Sequence, residues 1–306
     1  MQSIAYYFKH IKPTIGSLLI RLHFLFHNEE NYLKLLFWLK TGRKLNLEHP
    51  IRFNEKLQWL KLYNHQPEYT DMVDKHKAKQ IVGKLLGEQY LIPTLGVWNS
   101  PQEICWESLP QQFVLKTTHG GGGVGVVVCK DKNMLNKKKA ISQLSKSMRI
   151  SGFDRLKEWP YKDVQHRVLA EQYVEDVENH QLVDFKFHCF NGVPKVVLVC
   201  QNRYSGDGFS KDFYDMDWNH LQISRELNGN SKTLMQKPSE FEKMVKIAKN
   251  LSQNIPFVRI DLYLANHKIY FGEYTFFPAS GLSNFYPDNW DFVFGEWLEL
   301  PKSKTI

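Results

Sequence analysis

Cysteine is scarce in this chain and poorly spaced for metal binding. Its 306 residues include four (Cys105, Cys129, Cys189 and Cys200), and no two form a C-x-x-C pair. That argues against a structural zinc site. Three of the four sit in or beside apolar runs, so they read as buried free thiols of a reducing compartment rather than as a disulfide framework. Long apolar stretches are missing too: Lys or Arg interrupts each run well short of the ~20 residues of a membrane span. Arg21, His23 and Lys34 break up the N-terminal region, and no small-residue cleavage site follows, so no secretory signal is expected. Zinc knuckles, RNP-like aromatic strands and basic regions with heptads are all absent, and no nucleic-acid partner is expected. Internal repeats and low-complexity tracts are absent as well.

What remains is the composition of an ordinary folded protein, 42% apolar and 24% charged, with aromatics at 14% to fill a core. The length suggests about two domains. The net charge is +8, and residues 1–50 carry seven Lys/Arg against three acids. Such a surplus suits an anionic small molecule, a polyanionic polymer or a membrane face. Residues 1–65 read as helical, with Ile15, Leu18, Leu19, Leu22 and Leu25/Phe26 at helical spacing, and with Asn54 placed to cap a helix carrying Leu57, Trp59, Leu60 and Leu62. This segment reads either as a helical appendage on the main body or as a basic amphipathic element resting on an anionic membrane.

Asp71 or Asp74 opens a further helix that stops at Gly87. Tyr90–Trp98 reads as loop and strand. Phe113–Lys116 and Val126–Cys129 are short apolar strands joined by a glycine-rich turn, and a Lys-rich helix follows at Lys137–Lys139. Val168–Val174 is a strand ending in an acidic cluster. Asp184–Phe190 turns at Asn191-Gly192 and returns as Val196–Cys200. Ser239-Glu240-Phe241-Glu242 has the pattern of a capping box. Val258–Tyr263 and Lys268–Glu273 form a last hairpin joined near Asn266-His267. The stretch holding Arg203, Lys211, Tyr214 and Trp218 reads as a loop. The class is α+β.

Three features carry chemistry. Gly120, Gly121, Gly122 and Gly123 leave the backbone free to lie against a ligand and to aim N–H groups at phosphate oxygens, though a merely mobile turn has the same composition. Neither a P-loop nor a dinucleotide fingerprint accompanies them, because a strand follows. Asp261 and Glu273 lie near the ends of adjacent antiparallel strands, and such a pair suits Mg²⁺ shared with substrate phosphates; two surface acids on a hairpin is the plainer reading. Arg259, two residues before Asp261, shares its strand face. Glu171-Gln172-Tyr173-Val174 ends an apolar strand in polar groups, as a linker offering its backbone to an adenine edge does.

Taken in order, Asp74-Lys75, Phe113–Lys116, the glycine turn, Leu169–Val174, Asp184, Arg259-Ile260-Asp261 and Gly272–Thr275 resemble an ATP-grasp enzyme over residues 74–290. Arg52–Lys61, Leu91–Trp98, Phe113–Gly123 and Gly272–Gly281 more narrowly resemble the TupA-like ATP-grasp proteins of polysaccharide biosynthesis. The resemblance implies an ATP-grasp fold in which two subdomains with antiparallel sheets clasp ATP. An N-terminal helical extension would cover 1–73, and the ATP-grasp domain 74–300, with a glycine-loop lobe at about 113–173 and a metal-binding lobe at about 181–295. It implies that Lys75 and Lys116 contact phosphates under a flap of Gly120–Gly123, with His119 either assisting or acting as a spacer. Glu171, Gln172, Tyr173 and Val174 would hold adenine, and Asp184 would lie near the ribose. Asp261, Glu273 and Thr275 would hold Mg²⁺, with Thr275 standing where many ATP-grasp enzymes have Asn. Arg259 would sit beside the transferred phosphoryl group.

The activity implied is an ATP-dependent carboxylate–amine ligase, with ATP and Mg²⁺, acting on a small-molecule or polysaccharide carboxylate and an amine donor. Arg203 and Lys211 are candidates to receive the acid. A phosphotransferase, a glycosyltransferase-like enzyme and a non-catalytic polysaccharide-binding module are the alternatives. A cytoplasmic location follows, with residues 1–50 the candidate contact with the inner membrane face.

Overall fold

Alternating apolar residues commit two stretches of the chain to antiparallel sheets, and the helices cover the faces those sheets leave apolar. The computed structural model describes residues 15, 17–20, 26–121, 123, 125–177, 182–201, 210–225 and 234–305. Gly122, Arg203 and much of the candidate membrane segment (1–14, 16 and 21–25) lie outside the described residues. Helices α1 (Glu29–Thr41), α2 (Phe53–Tyr63), α3 (Glu68–Val73) and α4 (Lys75–Leu86) come first. Strands β1 (Thr94–Trp98), β2 (Phe113–Thr117) and β3 (Val126–Cys129) follow, then α5 (Lys137–Met148), α6 (Gly152–Leu156) and β4 (Val168–Gln172). Next come β5 (Val183–Phe190), β6 (Val193–Gln201), β7 (Ser210–Asp215) and β8 (His220–Leu221). The chain then runs through α7 (Phe241–Leu251), β9 (Phe257–Ala265), β10 (Lys268–Thr275) and α8 (Asn289–Trp297). The first sheet has the order β1-β4-β2-β3, and the second β10-β9-β5-β6-β7-β8.

Each sheet buries one face and keeps polar groups on the other. In the first, Phe113, Leu115, Cys129, Val168 and Ala170 form a core with Leu144 of α5. Lys116 and Glu171 alternate onto the opposite face. In the second sheet, Phe187 packs on Phe241 of α7 with ring centroids 5.9 Å apart. The other face is capped at one end by Phe53 of α2 and Phe294 of α8, which meet Phe257 (4.8 Å from Phe53) and Phe190 (5.5 Å from Phe294). Asp184, Lys186, Arg259, Asp261, Glu273 and Thr275 occupy the rest of that face. None of the described helices is long and apolar enough to cross a membrane.

Several local expectations change. Asn54 is not an N-cap: the cap is Arg52, two residues earlier, and Glu55 Oε2 accepts the N–H groups of Ile51 and Arg52, both at 3.1 Å. The capping box at Ser239 does not form, because Ser239 Oγ bonds Glu240 and Glu242 pairs with Lys237. Residues 210–215 are a strand rather than a loop. Tyr214 is buried there and stacks on Trp218 at 4.4 Å, so the Tyr214 ring is not open to a sugar and the stacked face of Trp218 is taken. The pattern Ser-Lys-Asp-Phe-Tyr-Asp hides this strand because its outer positions are polar.

Candidate active site

Asp261 is the most enclosed acid of the polar face, at 1% exposure. Arg259 grips it through Nε at 2.6 Å and Nη2 at 2.7 Å, the side-by-side geometry that i and i+2 on one strand permit. Lys186, opposite Asp261 on β5, adds a third contact at 2.6 Å and also reaches Asp184 at 2.8 Å. Across the β9–β10 ladder Asp261 faces Glu273. Glu273 accepts from Lys75 at 2.7 Å and lies 3.6 Å from Arg259. Thr275 Oγ1 donates to Glu273 at 3.3 Å and accepts from Arg259 at 3.1 Å. Burial alone would raise the Glu273 carboxyl; Lys75, Lys186 and Arg259 outweigh it and hold the group down at about 2.

The first sheet contributes a matching cluster. Glu171, at the end of β4, is clamped between Lys79 at 2.7 Å and Lys116 at 2.6 Å. These lysines outweigh its burial and bring its carboxyl to about 2. Burial would depress Lys116, but the charges of Glu171, Glu273 and Asp184 keep it above its ordinary value, so Lys116 sits in the field of both sheets. Five cations (Lys75, Lys79, Lys116, Lys186, Arg259) thus meet four carboxylates (Asp184, Glu171, Asp261, Glu273). The remaining positive charge suits an anionic ligand.

Asp74 ties α4 to the residue that leads into β4. One oxygen caps α4 at the His76 N–H, 2.8 Å away, and the other receives Arg167 at 2.7 Å. Lys75 N–H donates to the Thr118 carbonyl at 2.9 Å, so the base of the glycine turn is fixed to the helix that carries Lys75 and Lys79. Gly120 donates to Thr117 O at 3.2 Å, and beyond it a Cβ at Gly121 or Gly123 meets nothing within 4 Å. Gly125 is the opposite case. Its φ is +75°, and a Cβ there would lie 2.2 Å from Ser147 Oγ.

His119 takes no part in the ion-pair cluster. It stacks on His166 at 3.5 Å, and its Nε2 lies 3.1 Å from the Ser147 carbonyl. Burial and the His166 charge lower it to about 4, so its ring is neutral at neutral pH. Gln172 and Tyr173 line an open depression of about 730 Å³ with Lys130 and Gln112, while Val174 follows β4 half-buried. Lys211 shares the polar face of the second sheet but stands two strands out, opposite Cys200, which in turn faces Asp184.

Sequence reasoning passed over Lys79, Lys186 and Arg167, which neutralise four of the buried acids, Glu171, Asp184, Asp261 and Asp74. Lys79 is four residues after Lys75 and so on the same helix face, and Lys186 is two after Asp184 on a strand. It also passed over Lys61, 1% exposed on α2, whose Nζ donates to Ser280 Oγ (2.7 Å), Ser280 O (2.9 Å), Leu156 O (3.0 Å) and Gln58 Oε1 (3.2 Å). Those bonds hold a turn directly after β10 in which Ala279 (φ 49°), Ser280 (φ 55°) and Gly281 (φ 62°) are all left-handed. Strained non-glycine residues persist where the surroundings over-determine them, commonly at functional sites.

The residues present fit Mg²⁺ with a nucleotide. No group of three or more His, Cys, Asp or Glu converges among the described residues, and a pair of hard carboxylates is what Mg²⁺ takes when phosphates complete its shell. A family model described as TupA-like ATPgrasp matches residues 55–299. Among solved structures, the chain is similar to a D-alanine–D-alanine ligase from Bacillus anthracis at 14% identity and a TM-score of 0.38, with 67% of this chain and 56% of that one covered. A D-alanine–D-alanine ligase from Helicobacter pylori gives 15% and 0.41 over 81% and 69%. The biotin carboxylase domain of a Hydrogenobacter thermophilus 2-oxoglutarate carboxylase, in complex with MgADP, ADP and bicarbonate, gives 16% and 0.41 over 76% and 47%. No curated protein matches the sequence.

Proposed function

The chain belongs to the TupA-like ATP-grasp family, and on that premise we propose that it is an ATP-dependent carboxylate–amine ligase of cell-surface polysaccharide synthesis, joining an amine to the carboxylate of a sugar acid. A carboxylate is a poor acyl donor because oxide is its leaving group. Transfer of the γ-phosphoryl group of ATP to a carboxylate oxygen gives ADP and an acyl phosphate. Amine attack then forms the amide and releases phosphate and a proton.

The chain's residues have distinct tasks in this scheme. Lys116 and Lys75 meet phosphate oxygens from the two sides of the cleft, and Arg259 neutralises charge on the group in transfer. Asp261 and Glu273 would hold Mg²⁺, whose part is to draw the phosphate oxygens together and offset their charge. Lys75 and Lys186, which hold these carboxylates at 2.7 and 2.6 Å, are the charges that yield on its entry. The glycine turn closes over the nucleotide and keeps water from the acyl phosphate.

The observation that supports this reading best is the pairing of Asp261 with Glu273 on a face whose charges act on Lys116 of the other sheet. The test is product analysis over a grid of uronic acids and amino acids with MgATP. The ligase reading expects ADP and phosphate together, and only when acid and amine are both present. A stable phosphorylated product formed without amine would identify a phosphotransferase instead. Failure of the chain to bind ATP at millimolar concentration with Mg²⁺ would overturn the scheme.

A further inference from the structure

Arg225 follows β8 and packs under the segment that leaves β10, and among the described residues its charge has no carboxylate of its own. Its Nη2 donates to the Ser283 carbonyl at 2.8 Å and to Asn54 Oδ1 at 3.2 Å. The guanidinium carbon lies 4.2 Å from the centre of the Phe285 ring. Nε and Nη1 are shut off from solvent and meet no acceptor among the described residues. Three of the five N–H donors of the guanidinium therefore lack a partner. Asp291 is the acid whose charge supports Arg225, yet it is already engaged. Its Oδ2 takes Arg43 at 3.3 Å and Arg52 at 3.5 Å, and its Oδ1 takes the Asn54 N–H at 3.0 Å.

Position and rigidity point to a ligand. The Phe285 ring that Arg225 covers lies 5.0 Å from Phe294, and Phe294 lies 5.9 Å from His188, which stands directly opposite Arg259 in the β5–β9 ladder. The two guanidiniums thus serve the same part of the polar face. The backbone around Arg225 is fastened: Ser224 and Tyr286 exchange N–H···O bonds at 2.8 and 2.7 Å, and Ser283 Oγ donates to the Arg225 carbonyl at 3.2 Å. A shielded cation with unmade hydrogen bonds is costly unless an anion completes it. Resting on the ligase reading above, we propose that Arg225 is a substrate-binding residue whose Nη1 and Nε take the carboxylate of the acid substrate beside Arg259. The nucleotide phosphates are left to Lys116 and Lys75.

The experiment is calorimetry on the full chain saturated with Mg-ADP, titrated with D-glucuronate and, separately, with D-glucose as the neutral counterpart. The expected result is binding of glucuronate and not of glucose. Arg225→Gln should weaken glucuronate tenfold or more while the Mg-ADP affinity stays within twofold. Arg225→Lys, which keeps the charge and guards against a misfolded Gln variant, should fall between the two. The proposal is overturned if both variants bind glucuronate like the wild type, or if the wild type fails to prefer the anion. It is also overturned if Mg-ADP affinity falls together with glucuronate affinity, which would place Arg225 in the nucleotide site. A wild-type chain that does not bind Mg-ADP sinks the ligase reading itself, a result distinct from one that binds Mg-ADP and ignores the anion.

Discussion

Glu273 stands opposite Asp261 because the β9–β10 ladder slips by one residue between Phe271 and Glu273. From the turn outward the pairs run Ala265–Lys268 to Leu262–Phe271; without the slip, Glu273 would pair with Ile260 and its carboxylate would point into the core beneath α7. A bulge of one residue moves it to the polar face. Gly272 makes this fit, since a Cβ there would lie 3.0 Å from both the Asp261 carbonyl and the Tyr263 ring.

Gly272→Ala therefore disturbs the acid pair from below. The expected cost is about 1 kcal/mol of stability, with turnover down about tenfold or more, since small misplacements of reacting groups are expensive. Urea unfolding and steady-state rates check both. Wild-type turnover in this variant would show that the bulge does not set the geometry.

Glu273→Gln keeps the shape but removes the charge that Lys75 and Arg259 neutralise. Turnover with MgATP should fall by about 10²–10³, on the scale of losing one preorganised electrostatic contact. The melting temperature should fall as well, because Lys75 loses the acid that neutralises it. ADP release at the wild-type rate with the true acid and amine would refute the metal role.

Glu171 and Glu273 titrate near 2 in the folded chain, against ordinary values of 4.5. The unfolded chain takes up these protons first, so their stabilisation is complete above about pH 4.5 and drains away as pH falls toward 2. Urea midpoints should hold level from pH 7 to about 5 and then decline. Glu171→Gln, which strands Lys79 and Lys116, should lose about 3 kcal/mol at pH 7 and show a shallower acid decline. A wild-type midpoint unchanged down to pH 3 would contradict this.

The glycine turn separates into tolerant and intolerant positions. Gly121→Ala meets open space and should leave stability within about 0.5 kcal/mol. Gly125→Ala forces a left-handed backbone and a collision with Ser147, and should cost roughly 1–3 kcal/mol. Equal melting temperatures for the two would show that the hairpin end does not depend on Gly125.

Lys61→Met preserves the buried stem but removes the donor that holds Ser280. About 1–3 kcal/mol of stability should be lost. The KM for the acid should rise while MgATP affinity stays constant, because the 279–281 turn loosens and the nucleotide contacts do not. Nucleotide affinity falling in parallel would mean that Lys61 supports the whole cleft.

Much of this was readable along the chain, because helix and strand faces follow from spacing of a few residues. Asp74 and Gly87 bound α4 as expected. Asn266 and His267, both at positive φ, make the tight turn between β9 and β10. Alternation alone puts Arg259 and Asp261 on one face. What spacing cannot encode is which distant charges meet. Lys79 reaches Glu171 across 92 positions, and Arg167 reaches Asp74 across 93; these pairs exist because two sheets and α4 enclose one volume, where unpaired charges would be costly. The ladder slip at Gly272 belongs to the same class. Residue types name the acids and lysines of the cleft, while packing selects the register that turns Glu273 toward them.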